Sequence, residues 1–392
     1  MAQRQSTPVT LVLVAVAVGL LGCGSSRSSS KESDFYTPPD PLPSSVPGSL
    51  IRSEPIEPFA EGTRAWRVLY VSTALDGSPI AVSGMVAAPG RTAADAPYDV
   101  VTWAHGLTGV VDRCAASRGF RFGNDFHEVV PALLQAGYVA VGTDYEGLGT
   151  PGVHPYLVGV SEGRGVLDIV KAAQELLDLP VSDRFAVWGL SQGGHAALFA
   201  GEIAPSYAPD LELVGVVSAA PGSEFPAIIE FGQVVPAIRS VLWQLAVSFE
   251  AVYPELAMED IFDSDTVDTI DRLLDEEACI VEFESAGLAS EKATFAVSPL
   301  DIPAWEARIT ENSPGQVPTD APILLLQSRA DQSVPIQLTD VFFSRLCGIG
   351  AEVEYRVFDG LTHNDTTRMN IPLMLSWTEA RFASEPAIRT CP

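Results

Sequence analysis

The chain has 392 residues, 47% of them hydrophobic and 19% charged. That length and apolar content exclude extended disorder and leave room for a large core with an insertion. Lys and Arg total 23 against 50 Asp and Glu, a formal net charge of −27, and such a polyanion repels phosphate, so no nucleic-acid partner is expected and anionic lipid headgroups are poor candidates as a primary partner.

The N-terminus reads as an export signal. Arg4 precedes an apolar run from Val9 to Leu21, 13 residues long, which is short for a bilayer span and right for the core of a signal peptide. The run ends in Leu20-Leu21-Gly22-Cys23, similar to a bacterial lipobox, in which cleavage precedes the cysteine and the thiol carries lipid. Residues 1–22 are therefore expected to be a signal peptide and Cys23 a lipid attachment site that tethers the protein to a membrane. A plain secretory signal cut nearby is the alternative, and export follows from either. Gly24 to Ser30 is rich in Ser and Gly, and five prolines fall between Pro38 and Pro47, so residues 23–55 read as a flexible, then stiffer, tether. Cys114, Cys279, Cys347 and Cys391 remain. An even number in an exported chain suggests two disulfides with three possible connectivities; buried free thiols are the alternative.

The body, residues 56–220 and 320–392, alternates strands with helices. Trp66 to Thr73 and Pro79 to Ala88 read as a hairpin turned at Asp76-Gly77. Strands are expected over Tyr98–Ala104, Tyr138–Thr143, Arg184–Leu190, Leu213–Ser218, Ile323–Gln327 and Val353–Phe358. Helices are expected over Phe126–Gln135, Gly165–Leu177, Gln192–Ile203, Ile336–Leu346 and Thr366–Phe382. This pattern predicts an α/β fold with a mostly parallel sheet covered by helices on both faces. Residues 221–319 interrupt the alternation. Helix-like segments at Phe225–Val234, Val241–Ala251 and Val267–Glu277 make this stretch an inserted helical cap rather than a loop, with extra core as the alternative.

Gly189-Leu190-Ser191-Gln192-Gly193 matches the G-x-S-x-G nucleophile elbow, in which a tight strand-to-helix turn forces a serine out above the sheet. The apolar strand before it and the small-residue helix after it give the short motif its specificity. An ordinary helix capped by Ser191 is the bland alternative. Among the five histidines, His363 lies in a loop directly after the last predicted strand, where a base would stand. His195, one turn beyond the serine, is expected to pack or hydrogen-bond, His105 to shape its own turn, and His127 and His154 show no partner pattern. The acid that orients the base is assigned to Asp331, just past a buried strand; Asp359 is its rival. The order Ser191, Asp331, His363 is that of α/β-hydrolases. Two backbone N–H groups must receive the oxyanion. One is assigned to Gln192. The other lies in His105-Gly106-Leu107-Thr108-Gly109 and is assigned to Leu107, with Thr108 close behind. Asp144 and Glu146 are expected to be structural or at the pocket edge, and no His/Cys cluster has metal-ligand spacing.

Ala104-His105-Gly106-Leu107-Thr108-Gly109, Asp144-Tyr145-Glu146-Gly147-Leu148-Gly149, Gly189 to Ala197 and the Asp331 and His363 loops together resemble the secretory lipase family, which includes fungal lipase-A-type enzymes and exported actinobacterial lipases and esterases. The resemblance covers residues 60 to 390. It implies an α/β-hydrolase body, a helical lid between the sixth and seventh core strands, carboxylic ester hydrolysis and no cofactor. It also favours the pairing Cys114–Cys279 and Cys347–Cys391. Leu190 stands where members often carry Tyr.

The expected activity is that of a lipase or carboxylesterase acting on a small-molecule or lipid ester through an acyl-enzyme, as a monomer without a metal. A hydrolase-like surface lipoprotein that only binds, and a serine peptidase on the same fold, are the alternatives.

Overall fold

A computed structural model describes residues 35–90, 97–119, 125–233 and 235–392. The signal segment and Cys23 lie outside the described residues. Among the described residues nine strands form one sheet: β1 (Leu50–Ile56), β2 (Arg64–Thr73), β3 (Pro79–Ala88), β4 (Tyr98–Ala104), β5 (Val139–Thr143), β6 (Val181–Leu190), β7 (Glu212–Ala219), β8 (Ile323–Ser328) and β9 (Val353–Phe358). Their order is β1-β2-β3-β5-β4-β6-β7-β8-β9. β1, β2 and β3 run antiparallel to their neighbours, and the pairs from β5 to β9 are all parallel.

The parallel strands are apolar on both faces because helices cover both. Val100, Val139, Phe185, Val187 and Leu325 point to one side, toward α2 (Gly159–Leu176), α3 (Gln192–Tyr207) and α9 (Ile336–Gly348). Val101, Trp103, Ala140, Trp188 and Leu326 point to the other, toward α1 (Phe126–Gln135) and α11 (Ile371–Phe382). The period of two along each strand divides the core into these two layers.

Between β7 and β8 the inserted segment carries α4 (Phe225–Gly232), α5 (Arg239–Val252), α6 (Ser264–Asp275), α7 (Ile280–Ala289) and α8 (Pro303–Glu311). Its own apolar cluster includes Leu242, Trp243, Phe249, Phe283 and Trp305. Two disulfides join Cys114 to Cys279 and Cys347 to Cys391, each with Cα atoms 5.6 Å apart. The first fastens the start of α7 to the loop after β4. Beside it Ile280 N donates to Thr108 O at 2.9 Å. Gly109 is required there, since a Cβ would lie 2.4 Å from Cys114 Sγ.

Three expectations are corrected. Residues 35–55 are not free tether: Phe35 and Tyr36 are buried, Arg67 lies over the Phe35 ring at 4.5 Å, Arg118 over Tyr36 at 3.8 Å, and β1 extends the sheet. Pro55 hid that strand, yet an edge strand tolerates proline. The insertion follows β7, the sixth of the strands expected from the sequence.

α2 begins six residues earlier than expected, at Gly159. Its glycines lower helix propensity, but they let α3 approach: a Cβ on Gly159 would meet the Phe199 ring at 2.3 Å. The last helix is two, α10 (Asp365–Arg368) and α11, because Pro372 lacks an N–H and its ring clashes with the carbonyl of Arg368 in a continuous helix.

Candidate active site

The elbow is built by sterics. Ser191 sits at φ 60° and ψ −117°, a backbone state that costs a non-glycine residue on the order of 1–3 kcal/mol. A Cβ on Gly189 would lie 2.0 Å from Gly193 O, and one on Gly193 would lie 1.8 Å from Ala104 O. Only glycine fits either place. The turn is held by Ser191 N donating to Ala219 O at 2.9 Å and His195 N to Ser191 O at 3.1 Å.

Asp331 follows β8 in a turn that its own side chain organises. Oδ1 accepts from the backbone N–H of Ser333 and of Val334, both at 2.9 Å, and Oδ2 is 2.7 Å from His363 Nδ1. Both carboxylate oxygens are thus engaged, and His363 donates from Nδ1, leaving Nε2 for another partner. The His363 loop is fastened at two further points. Ser328 Oγ donates to Leu361 O at 2.7 Å, and Arg368 pairs with the buried Asp125 at 2.7 Å. Desolvation raises the Asp125 carboxyl, and Arg368 opposes that rise. The rival acid, Asp359, points away: its side chain is 89% exposed and pairs with Arg329 at 3.3 Å.

Ser191, Gln192, Leu107 and His363 line one cavity of about 420 Å³. Thr108 does not line it; Thr108 is buried, with its carbonyl turned to the cap. The remaining walls are mostly apolar and come largely from the cap, with Phe225, Ile229, Ile238, Leu242, Leu245 and Ile280 among them. Leu190 contributes to the wall beside the serine. Glu284 on α7 also faces the cavity, and burial raises its carboxyl.

The other polar residues singled out from the sequence support this frame. Asp144 accepts from Ser83 Oγ at 2.6 Å and from Ser117 N at 2.8 Å, and Glu146 accepts from Ser161 Oγ at 2.5 Å. His105 donates from Nδ1 to Gly106 O at 2.7 Å, and burial lowers its affinity for a second proton. Tyr145, at φ 70°, holds the same loop by donating to His105 O at 3.0 Å. His195 and His154 are fully buried beneath the elbow. His127 lies on α1, against the Phe59 ring at 5.0 Å. Glu162 and Asn312, which contact His195, carried no signal in the sequence: an acid among glycines and an asparagine after a polar helix both read as surface.

The match to known proteins follows this geometry. A probable inactive lipase of Mycobacterium tuberculosis is 25% identical over 90% of this chain and 82% of its own length. A trichothecene C-3 esterase of Fusarium sporotrichioides is 24% identical over 94% of this chain and 88% of that protein. The crystal structure of Candida antarctica lipase A superimposes with a TM-score of 0.78 at 18% identity, covering 91% of this chain and 87% of that one, which shows a shared α/β-hydrolase fold. Residues 115–390 match the secretory lipase family, a family of carboxylic ester hydrolases, and the chain belongs to it.

Proposed function

We propose that this protein is an exported serine ester hydrolase working through Ser191, His363 and Asp331. The observation that carries the reading is the pairing of His363 Nδ1 with Asp331, itself held by two backbone N–H donors, in a loop that opens on the same cavity as the strained Ser191. His363 Nε2 takes the proton from Ser191 Oγ, which attacks the ester carbonyl. The backbone N–H groups of Leu107 and Gln192 receive the oxyanion. Asp331 keeps the proton on Nδ1 and stabilises the imidazolium. The tetrahedral species collapses as His363 protonates the departing alcohol. Water, deprotonated by His363, then cleaves the acyl-enzyme and frees Ser191.

The apolar cavity supports an ester with a hydrocarbon acyl chain, and its volume lies within the range of small-molecule sites. Residues 221–319 serve as the cap that excludes water. Cys23 carries the lipid that keeps the monomeric enzyme at a membrane; mass spectrometry of the mature N-terminus tests this, and an unmodified chain cut elsewhere refutes it. A family of p-nitrophenyl esters from short to long acyl chains tests substrate class: preference for long chains supports a lipase, for short chains a carboxylesterase.

A second reading, a binding protein without turnover, is favoured by the probable inactive lipase among the relatives. Labelling by a fluorophosphonate, lost in Ser191→Ala, supports the enzyme. A wild-type protein that is neither labelled nor able to turn over any ester supports the binder.

A further inference from the structure

Beneath the elbow lies a buried cluster that no step of the proposed reaction uses. Glu162 on α2 and His195 on α3 are both fully buried and paired at 2.7 Å between Oε2 and Nδ1. His195 Nε2 lies 2.9 Å from Asn312 O, just past α8 of the cap. Both ring nitrogens therefore face oxygens, Nδ1 the Glu162 carboxyl and Nε2 the Asn312 carbonyl, so the ring is held at both ends. Glu162 Oε1 accepts twice more, from Leu157 N at 2.9 Å and from Gln192 Nε2 at 2.7 Å.

The hydrogens of the neighbouring amide close the network. His154 Nδ1 lies 2.9 Å from Glu146 O and must donate to it, so Nε2 is an acceptor. Burial holds that ring neutral, with its pKa lowered to about 3. Gln192 Nε2 is 2.7 Å from this acceptor as well as 2.7 Å from Glu162. Both amide hydrogens of Gln192 are thus spent on fixed, buried acceptors. Gln192 Oε1 is left buried without a partner, so the amide is oriented by its donors alone. Turning it over would set oxygen against a carboxylate and a ring lone pair.

Gln192 is also the residue whose backbone N–H is proposed to receive the oxyanion. We propose that Glu162 is a positioning residue for that donor: with His154 it grips the Gln192 side chain, and so holds the first peptide of α3 in the direction the oxyanion requires. This rests on reading Ser191 as the nucleophile. An N–H aimed beforehand needs no reorganisation as charge develops, which is where such donors gain most of their effect. The same carboxylate binds Leu157, a cavity wall residue, and through His195 reaches Asn312 at the root of the cap. Asn312 in turn accepts from Gly159 N at 3.0 Å and donates to Tyr253 OH at 2.8 Å. One buried Glu162–His195 contact thereby joins the elbow to the cap's last helix.

The test compares Gln192→Ala, Glu162→Gln and Glu162→Ala by kcat and KM on a p-nitrophenyl ester, by the rate of Ser191 phosphonylation, and by melting temperature. Gln192→Ala keeps the backbone N–H and loses its grip. Its kcat is expected to fall about tenfold or more, with phosphonylation slowing in parallel and KM changing less than about threefold. Glu162→Gln can satisfy Leu157, Gln192 and a neutral His195, so its loss is expected to be smaller than that of Glu162→Ala. If Glu162→Ala does not fold, Gln192→Ala decides. A Gln192→Ala enzyme with kcat within about twofold of wild type, or with only KM raised, overturns the positioning role while leaving the nucleophile reading intact. A wild-type protein with neither turnover nor labelling removes both.

Discussion

Replacing Asp331 by Asn tests the site at the point where its geometry is tightest. Oδ1 of Asp331 is held by two backbone N–H donors, from Ser333 and Val334, each at 2.9 Å. An asparagine must place its only side-chain oxygen there; the flipped amide would set its NH₂ against two N–H groups and lose both bonds. The NH₂ is then directed at His363 Nδ1, which in the wild type donates across 2.7 Å. His363 can accept from that NH₂ only by moving its proton to Nε2, and that tautomer presents a donor where the nucleophile needs a base. The fold is expected to survive, since the two turn bonds are kept, while kcat falls by about 10⁴-fold, roughly 5 kcal/mol of transition-state stabilisation. Steady-state kinetics on a p-nitrophenyl ester, with melting curves for both proteins, measure this. Asp359→Asn is the matched control: that side chain is 89% exposed, and its loss is expected to change kcat by less than about twofold. Asp331→Asn within tenfold of wild type, or Asp359→Asn the more damaging of the two, would show that the acid has been misassigned.

Gly193→Ala is expected to abolish soluble expression or cost about 3 kcal/mol or more, because its Cβ would lie 1.8 Å from Ala104 O, and backbone on both sides of the contact must move. Denaturant unfolding or the soluble yield checks it. Cys347→Ser paired with Cys391→Ser opens a loop of 44 residues and is expected to lower unfolding free energy by about 4 kcal/mol, measured by urea denaturation. Desolvation raises Glu202 from the ordinary carboxyl value to about 7, although its carboxylate accepts from Gly315 N at 2.6 Å. The folded state thus holds that proton over a range in which the unfolded state has released it, so stability falls as pH rises from about 4.5 toward 7. Glu202→Gln is expected to flatten that decline in melting temperature; an unchanged slope would mean that Asp168, raised to about 7 by its own burial, carries it.

The family and the fold class were legible in the sequence, as was the order Ser191, Asp331, His363 on which the proposed triad rests, because each rests on local chemistry. Parallel strands buried on both faces read as apolar runs, as Tyr98–Ala104 and Ile323–Ser328 do. The elbow is encoded in five consecutive residues, since the backbone collisions that demand glycine at 189 and 193 lie within a few ångströms of Ser191. What depends on distant partners was not legible. β1 has weak alternation and a proline, and is a strand because β2 offers it a hydrogen-bonding edge. The start of α2 is poor in helix formers and is helical because glycine lets the Phe199 ring come within contact. Proposing Asp331 rather than Asp359 as the acid needed the fold: each follows a strand, but Asp331 sits where two backbone amides fix its carboxylate against His363. Glu162 is the extreme case. Its partners lie at residues 157, 192 and 195, and an acid is tolerated at that place in the core only because tertiary packing gathers these three partners around it.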